Sequence, residues 1–254
     1  MTWFGQDPYG VRCEWGPEGA AALASGSAAL VVVDVLSFTT STVVAVERGI
    51  AVLPHPWHDS ADEYARSVDA RVAVGRHRVD PDHPWSLSPA GLRRAPHTPR
   101  LVLPSPNGST IAAAASGPVV AACLRNASAV GRWLSGQGYG TPSRPLLVVP
   151  AGERWPDGSL RPSLEDALGA GAVIAALAST MDPAVLSPEA ALLRAAYVGT
   201  PDVAAAVREC ASGRELIQGG YADDVDIAVE LDASTVVPVL IDGAFRPAPA
   251  PPPS

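Results

Sequence analysis

Short, unbroken apolar runs recur along the chain, and each is closed by a polar turn and followed by a helix-like stretch. Ala29–Val33 (ALVVV) is the clearest of them. A run without polar alternation suits a strand covered on both faces. Val11–Trp15, Ile50–Leu53, Arg71–Val74, Arg100–Leu103, Val119–Ala122, Leu146–Val149 and Val236–Ile241 are further strand candidates. Glu18–Ala24, the VVAVERG phrase closed by Gly49, Asp59–Val68, Ser109–Ala115 and a stretch reaching about Trp133 predict the intervening helices. Such β-α-β alternation implies a three-layer α/β/α fold whose sheet is mostly parallel or mixed. Pro188–Tyr197, Asp202–Ala211, Arg214–Gln218 and Ala222–Asp232 add helix-like segments before the last strand.

The pattern stops twice. Gly75–Pro99 holds His77, His83, His97 and five prolines with no clear period. A loop that long inside a compact domain is usually functional or mobile. Residues 247–254 (PAPAPPPS) read as a disordered or polyproline tail outside the fold. The expectation is one α/β domain over residues 1–246, in one body or two lobes.

Composition excludes several functions. A net charge of -8 argues against a broad nucleic-acid footprint and against attraction to anionic membranes. No apolar run approaches a membrane span, and the acidic N-terminus has no basic signal region, so a cytoplasmic protein is expected. All 18 basic residues are Arg, which removes Schiff-base and P-loop lysine chemistry. Any anion must then be held by Arg, backbone N–H groups or a metal. Cys13, Cys123 and Cys210 are too far apart in sequence for a CxxC pair or a disulfide framework. VVVDV lacks the GxGxxG of a dinucleotide fold, Leu36 stands where a DxD phosphatase would have its second Asp, and no GxSxG elbow occurs.

Chemistry gathers instead at four strand ends, the positions where open α/β sheets bind ligands. Asp34 directly follows ALVVV, as metal ligand, nucleophile or cap of the next helix. Ser37, Thr39, Thr40, Ser41 and Thr42 put five hydroxyls behind it, for an oxyanion or for capping. Asn107-Gly108-Ser109 is a turn whose backbone can take positive φ and whose helix points N–H groups back at the loop, an anion site in outline. Arg125 and Asn126 follow the Val119–Ala122 run; Arg125 is placed for a phosphate or for a salt bridge. After Leu146–Val149 come Glu153, the Pro156-Asp157-Gly158 turn, and Ser163, Glu165 and Asp166 ahead of a small-residue helix. Ser163 and Asp166 have capping-box spacing, and first-turn acids also suit the helix dipole.

Together the phrases DVLSFTTST, SPNGST, CLRNAS and AGE…SLEDALGAGA, with SGRELIQGGYADDVDIAVELDASTVVP, resemble the 2-phosphosulfolactate phosphatase (ComB-like) family, over residues 10–245. The resemblance implies an α/β fold of its own class and a Mg²⁺-dependent hydrolase that converts 2-phosphosulfolactate to 3-sulfolactate and phosphate in coenzyme M biosynthesis. It points to Asp34, Glu153 and Glu165 as catalytic groups and to Asp34, Glu165 and Asp166 around the metal. Thr39, Thr40, Asn107, Gly108, Ser109, Arg125 and Asn126 would hold a small phosphorylated, sulfonated substrate. A homodimer is compatible with this reading, and the sequence does not fix the oligomeric state. The chain departs from the family at Ser37, where an Arg is common, and at Gly75-Arg76-His77 and Leu87-Ser88-Pro89, which stand for a GER and an NSP phrase. Arg76 or Arg78 would have to replace the missing guanidinium. The rival readings are a binding protein that holds such a metabolite without hydrolysing it, and a phosphatase for another phospho-hydroxy acid.

Overall fold

The computed structural model describes residues 3–56, 61–115 and 117–249. Eleven strands form among the described residues: β1 Val11–Cys13, β2 Ala29–Val33, β3 Ala51–Pro56, β4 Arg71–Val72, β5 Arg100–Ser105, β6 Val119–Ala122, β7 Leu146–Pro150, β8 Glu153–Arg154, β9 Leu160–Arg161, β10 Pro238–Ile241 and β11 Ala244–Pro247. The helices are α1 Gly16–Leu23, α2 Phe38–Glu47, α3 Ala61–Ser67, α4 Pro89–Arg94, α5 Gly108–Ala114, α6 Ala127–Gly136, α7 Leu164–Ala178, α8 Pro188–Gly199, α9 Val203–Glu209, α10 Ala211–Gln218 and α11 Ala222–Ala228. The predicted start of α3, at Asp59 and Ser60, lies outside the described residues.

Nine strands make one mixed sheet in the order β1-β7-β2-β6-β10-β11-β3-β5-β4. Two parallel groups, β1-β7-β2-β6 and β3-β5-β4, are joined by the antiparallel hairpin β10–β11. The sequence predicts a single last strand; the hairpin's second strand, β11, takes in Pro247, which pairs with Pro238. The Pro-rich stretch therefore begins inside the sheet, and its residues 250–254 lie outside the described residues.

Side chains alternate across each strand, so each parallel group feeds two cores. Val31, Val33, Val120, Ala122, Leu146 and Val148 pack with α6, α7 and α8 on one face. Leu30, Val32, Val119, Ala121, Leu147 and Val149 pack with α1, α2 and α5 on the other, where Val52, Leu101, Leu103 and Phe245 join them. A small third cluster seats α3 on Leu53 and Val102. All five residues of β2 are buried, as the ALVVV run requires, each worth on the order of 1–3 kcal/mol of hydrophobic burial. The small residues of α7 serve close approach. A Cβ on Gly169 would lie 2.7 Å from Val35 Cγ2 and 2.8 Å from Val33 Cγ1, so glycine lets the helix settle on the end of β2.

One consequence decides where a site can form. β2 and β5 are five strand spacings apart in the sheet order, about 24 Å if the sheet were flat. Yet the N–H of Gly108, just past β5, donates to Asp34 Oδ2, just past β2, at 2.8 Å. The sheet therefore rolls over α2 and α5, and the ends of β2, β7 and β5 converge.

The Gly75–Pro99 segment, which shows no clear period in sequence, has regular structure and contributes Arg76 and Leu87 to the cleft described below. It contains a 3₁₀ turn at Arg76–Arg78 and the helix α4, and it is tied to α11: Asp224 accepts from Arg76 Nε at 2.9 Å, Ser88 Oγ at 2.5 Å and the N–H of Ala90 at 3.1 Å. No 3.6-residue apolar period marks it because long-range polar contacts hold it.

Candidate active site

Asp34 leaves β2 at the point where the backbone turns into α2. Its Oδ1 accepts from the N–H of Phe38 at 3.1 Å and its Oδ2 from the N–H of Gly108 at 2.8 Å. One buried carboxylate thus caps two helices. Gly108 does not have the positive φ that an Asn-Gly turn suggests; glycine is needed there for contact, since a Cβ would fall 2.7 Å from Asp34 Oδ2. Its N–H, expected to cradle a phosphate, is spent on Asp34. Burial raises the pKa of Asp34 and the charge of Glu165 adds to it, against the lowering effect of the two N–H donors.

Asp166 sits in the first turn of α7 and joins two strand ends. Its Oδ1 accepts from Val35 N at 2.7 Å and its Oδ2 from Gly152 N at 2.8 Å. The expected capping box does not form: Ser163 is the N-cap residue, but its hydroxyl makes no bond, because Asp166 turns to the neighbouring loops. Burial, then Asp34 and Glu165, raise the carboxyl of Asp166 well above the usual range. Glu165 is also buried, and its Oε2 accepts from Cys210 Sγ at 3.2 Å. Burial pushes that thiol up to about 12, so it remains a donor.

Glu153 begins the small hairpin β8–β9, and its Oε2 accepts from Asn107 Nδ2 at 2.9 Å. Burial, followed by the charges of Asp34 and Glu165, raises its pKa to about 7, where a carboxyl can both take up and release a proton at neutral pH. A cleft of about 180 Å³ opens over this ensemble, lined by Asp34, Ser37, Arg76, Ser105, Asn107, Glu153, Ser212 and Glu215 among others. A larger hollow of about 390 Å³ at the β4 edge is lined by Asp62, His77, Arg78 and His83 among others, and by none of the converging carboxylates. Perturbed acids, rather than volume, mark the site.

Several expected substrate contacts are occupied elsewhere. Thr39 Oγ1 donates to Asp34 O and Thr40 Oγ1 to Val35 O, so these hydroxyls hold the β2–α2 turn together. Ser109 Oγ bonds His55 O and Ser105 O, fixing the turn after β5. Asn126 bonds Cys123 N, Ala121 O and Val236 O and ties β6 to the segment before β10. Arg125 is buried in ion pairs with Glu47 and Glu230, the salt-bridge alternative, and it does not line the cleft. Cys123 is fully buried with a raised pKa, a core residue. Each carboxylate of the metal trio Asp34, Glu165 and Asp166 accepts at least one protein donor, and Glu165 Oε1 accepts none among the described residues. Among the described residues no three His, Cys, Asp or Glu side chains form a group that could hold a metal between them.

Other lining residues carry no local signal in the sequence. Ser105 is the last residue of β5, and Ser212 and Glu215 lie on α10, within the SGREL phrase. Of the two arginines expected to stand in for a guanidinium at position 37, Arg76 lines the cleft and Arg78 does not. Arg76 Nη2 donates to Ser37 Oγ at 2.8 Å and to Leu87 O at 3.0 Å.

Among the described residues no helix is long and apolar enough to cross a membrane. The sequence profile of the 2-phosphosulpholactate phosphatase family matches residues 18–243. A curated protein of Deinococcus radiodurans, named probable 2-phosphosulfolactate phosphatase, is 30% identical over 224 residues, covering 85% of this chain and 89% of the relative. With its converging acids and this likeness along most of its length, the chain belongs to the 2-phosphosulpholactate phosphatase family, a family of phosphoric monoester hydrolases.

Proposed function

We propose that the chain is a Mg²⁺-dependent phosphatase that cleaves the phosphate ester of 2-phosphosulfolactate, giving 3-sulfolactate and inorganic phosphate. The observation that carries the reading is the shared cleft of Asp34 and Glu153, one a buried strand-end carboxylate and the other a carboxyl raised to about 7.

The donor set suits Mg²⁺ in one particular way. Asp34, Glu153, Glu165 and Asp166 offer hard oxygen donors and no sulfur or imidazole, and burial together with their like charges raises three of them. No three of them form a metal-holding group; Mg²⁺ takes one or two carboxylates with waters and substrate oxygens, so it would rest on fewer protein ligands here. Asp34 and Glu165 are the residues that would hold it, with Asp166 bracing the loops behind them. Bound there, Mg²⁺ would polarise the phosphoryl group and offset its charge.

Glu153 accepts a proton from the attacking water as the water oxygen bonds phosphorus and the P–O ester bond breaks. The departing 2-oxygen, on the opposite side of phosphorus, takes its proton from solvent, and Glu153 gives its own back to solvent, which a pKa near neutrality allows. Asn107 Nδ2 holds Glu153 in place.

The test is phosphate release from phosphosulfolactate, phospholactate and unrelated monoesters, with Mg²⁺ and with chelator. Release from phosphosulfolactate alone, abolished by chelation, is the expected outcome. Equal release from all esters sinks the substrate; release that persists in chelator sinks the metal.

A further inference from the structure

We propose that Arg76 is the specificity-determining anion anchor of this cleft, holding the non-reacting oxyanion of the substrate, its sulfonate or carboxylate, while the phosphoryl group lies over the acids. The proposal rests on the phosphatase reading for the identity of the substrate, and on geometry for the rest.

Arg76 is the only cationic side chain among the described residues lining the cleft. Asp34, Glu153 and Glu215 line the same space, and an anionic group is repelled from their side. The guanidinium is fixed before any ligand arrives. Nε donates to Asp224 Oδ2 at 2.9 Å, Nη2 to Ser37 Oγ at 2.8 Å and to Leu87 O at 3.0 Å, and the ring of Tyr221 lies 5.3 Å from its central carbon. Asp224 is itself buried and held by Ser88 and Ala90, so the arginine cannot swing with its partner. A guanidinium has five N–H donors. The bonds above use Nε–H and both hydrogens of Nη2. Nη1 has no protein acceptor among the described residues, and its two N–H groups remain for a ligand on a side chain that is 17% exposed. Ser37 makes this arrangement fit: a small hydroxyl at the mouth of the β2–α2 turn accepts one arm of the fork and leaves room for the rest. The pairing with Asp224 offsets much of the charge, so the selection is directional, through two oriented donors, rather than a general attraction of anions.

Calorimetry with 3-sulfolactate, lactate and inorganic phosphate in Mg²⁺ buffer tests this without relying on turnover. Two variants guard against loss of folding. Arg76→Lys keeps a cation beside Asp224 but loses the fork. Arg76→Leu with Asp224→Asn removes both members of the pair, so no buried charge is stranded. Each variant is expected to weaken 3-sulfolactate by about tenfold or more, the scale of a lost charge-assisted hydrogen bond from Nη1, with the melting transition retained. A fall for 3-sulfolactate and not for lactate assigns Arg76 to the sulfonate; a parallel fall for both assigns it to the carboxylate. Affinity within about twofold of the wild type in both variants overturns the proposal, as does a wild type that binds none of the probes. Binding that depends on Arg76 in an enzyme that releases no phosphate would sink the hydrolytic reading and leave this one standing.

Discussion

Two walls of the cleft are built by different means. At the ends of β2, β5 and β7 the backbone does the positioning: Phe38 and Gly108 donate to Asp34, and Val35 and Gly152 donate to Asp166. On the arginine side, side chains hold one another across the sequence, with Arg76 bound to Asp224 over a separation of 148 residues and Ser88 bound to it over 136. The first wall is rigid because strands and helix starts are rigid. The second hangs on one buried ion pair and the few hydrogen bonds around it. Chemistry that tolerates little displacement belongs on the first, and discrimination between substrates can change on the second without disturbing it.

The largest expected effect tests whether the carboxylate wall is chemical at all. Asp34→Asn should lower kcat by roughly a thousandfold, the loss typical of a group acting in the transition state, while the urea midpoint moves little. If phosphate release stays within about tenfold of the wild type, Asp34 is a double helix cap and the contrast between the walls fails. Next comes the pair that holds the other wall. Asp224→Ala strands Arg76 and frees Ser88 and Ala90, and should remove about 3 kcal/mol of stability in urea denaturation. A loss below about 1 kcal/mol would mean that the arginine wall is held by something else.

A smaller effect separates the two walls by pH. The carboxyl of Glu153 is raised from 4.5 to about 7 in the fold, so its contribution to stability is fully present below pH 4.5 and is lost as pH rises through about 7. Without Mg²⁺, the unfolding free energy of the wild type should fall between those limits more steeply than that of Glu153→Gln, by on the order of 1–2 kcal/mol once partial exposure to the cleft is discounted. Parallel curves for the two proteins would show that Glu153 titrates normally. The smallest effect concerns Ser163, whose hydroxyl bonds nothing. Ser163→Ala should change stability by less than about 0.5 kcal/mol, whereas a working N-cap would lose about 1 kcal/mol.

The division between the walls is also the division between what the sequence discloses and what it hides. Asp34, Glu153, Glu165 and Asp166 are legible because each stands next to an apolar run or at a helix start, and local periodicity locates both. The parallel arrangement of β2, β6 and β7 follows from the same runs. The hydroxyls of Thr39, Thr40 and Ser109 look like ligand donors in sequence, since nothing local tells an oxygen facing a cleft from one bonded to its own turn. Arg125 is ambiguous for the same reason; its partners Glu47 and Glu230 are 78 and 105 residues away. Ser212 and Glu215 reach the cleft only because α10 is folded back over it, and no period in α10 records that.

The order of the sheet bears on how the molecule is made. Its middle, β10–β11, is synthesised after every other strand, and until it arrives β6 and β3 have no shared neighbour. A nascent chain emerging from the ribosome can pair β2 with β6 and β7, and β3 with β5, but it carries two unsatisfied inner edges meanwhile. One of the contacts that close the sheet, Phe245 with Val52, is the strand pairing most distant in sequence, which slows the final assembly step. Shortening the chain within β11 should therefore yield two half-sheets that aggregate, rather than a slightly weakened enzyme.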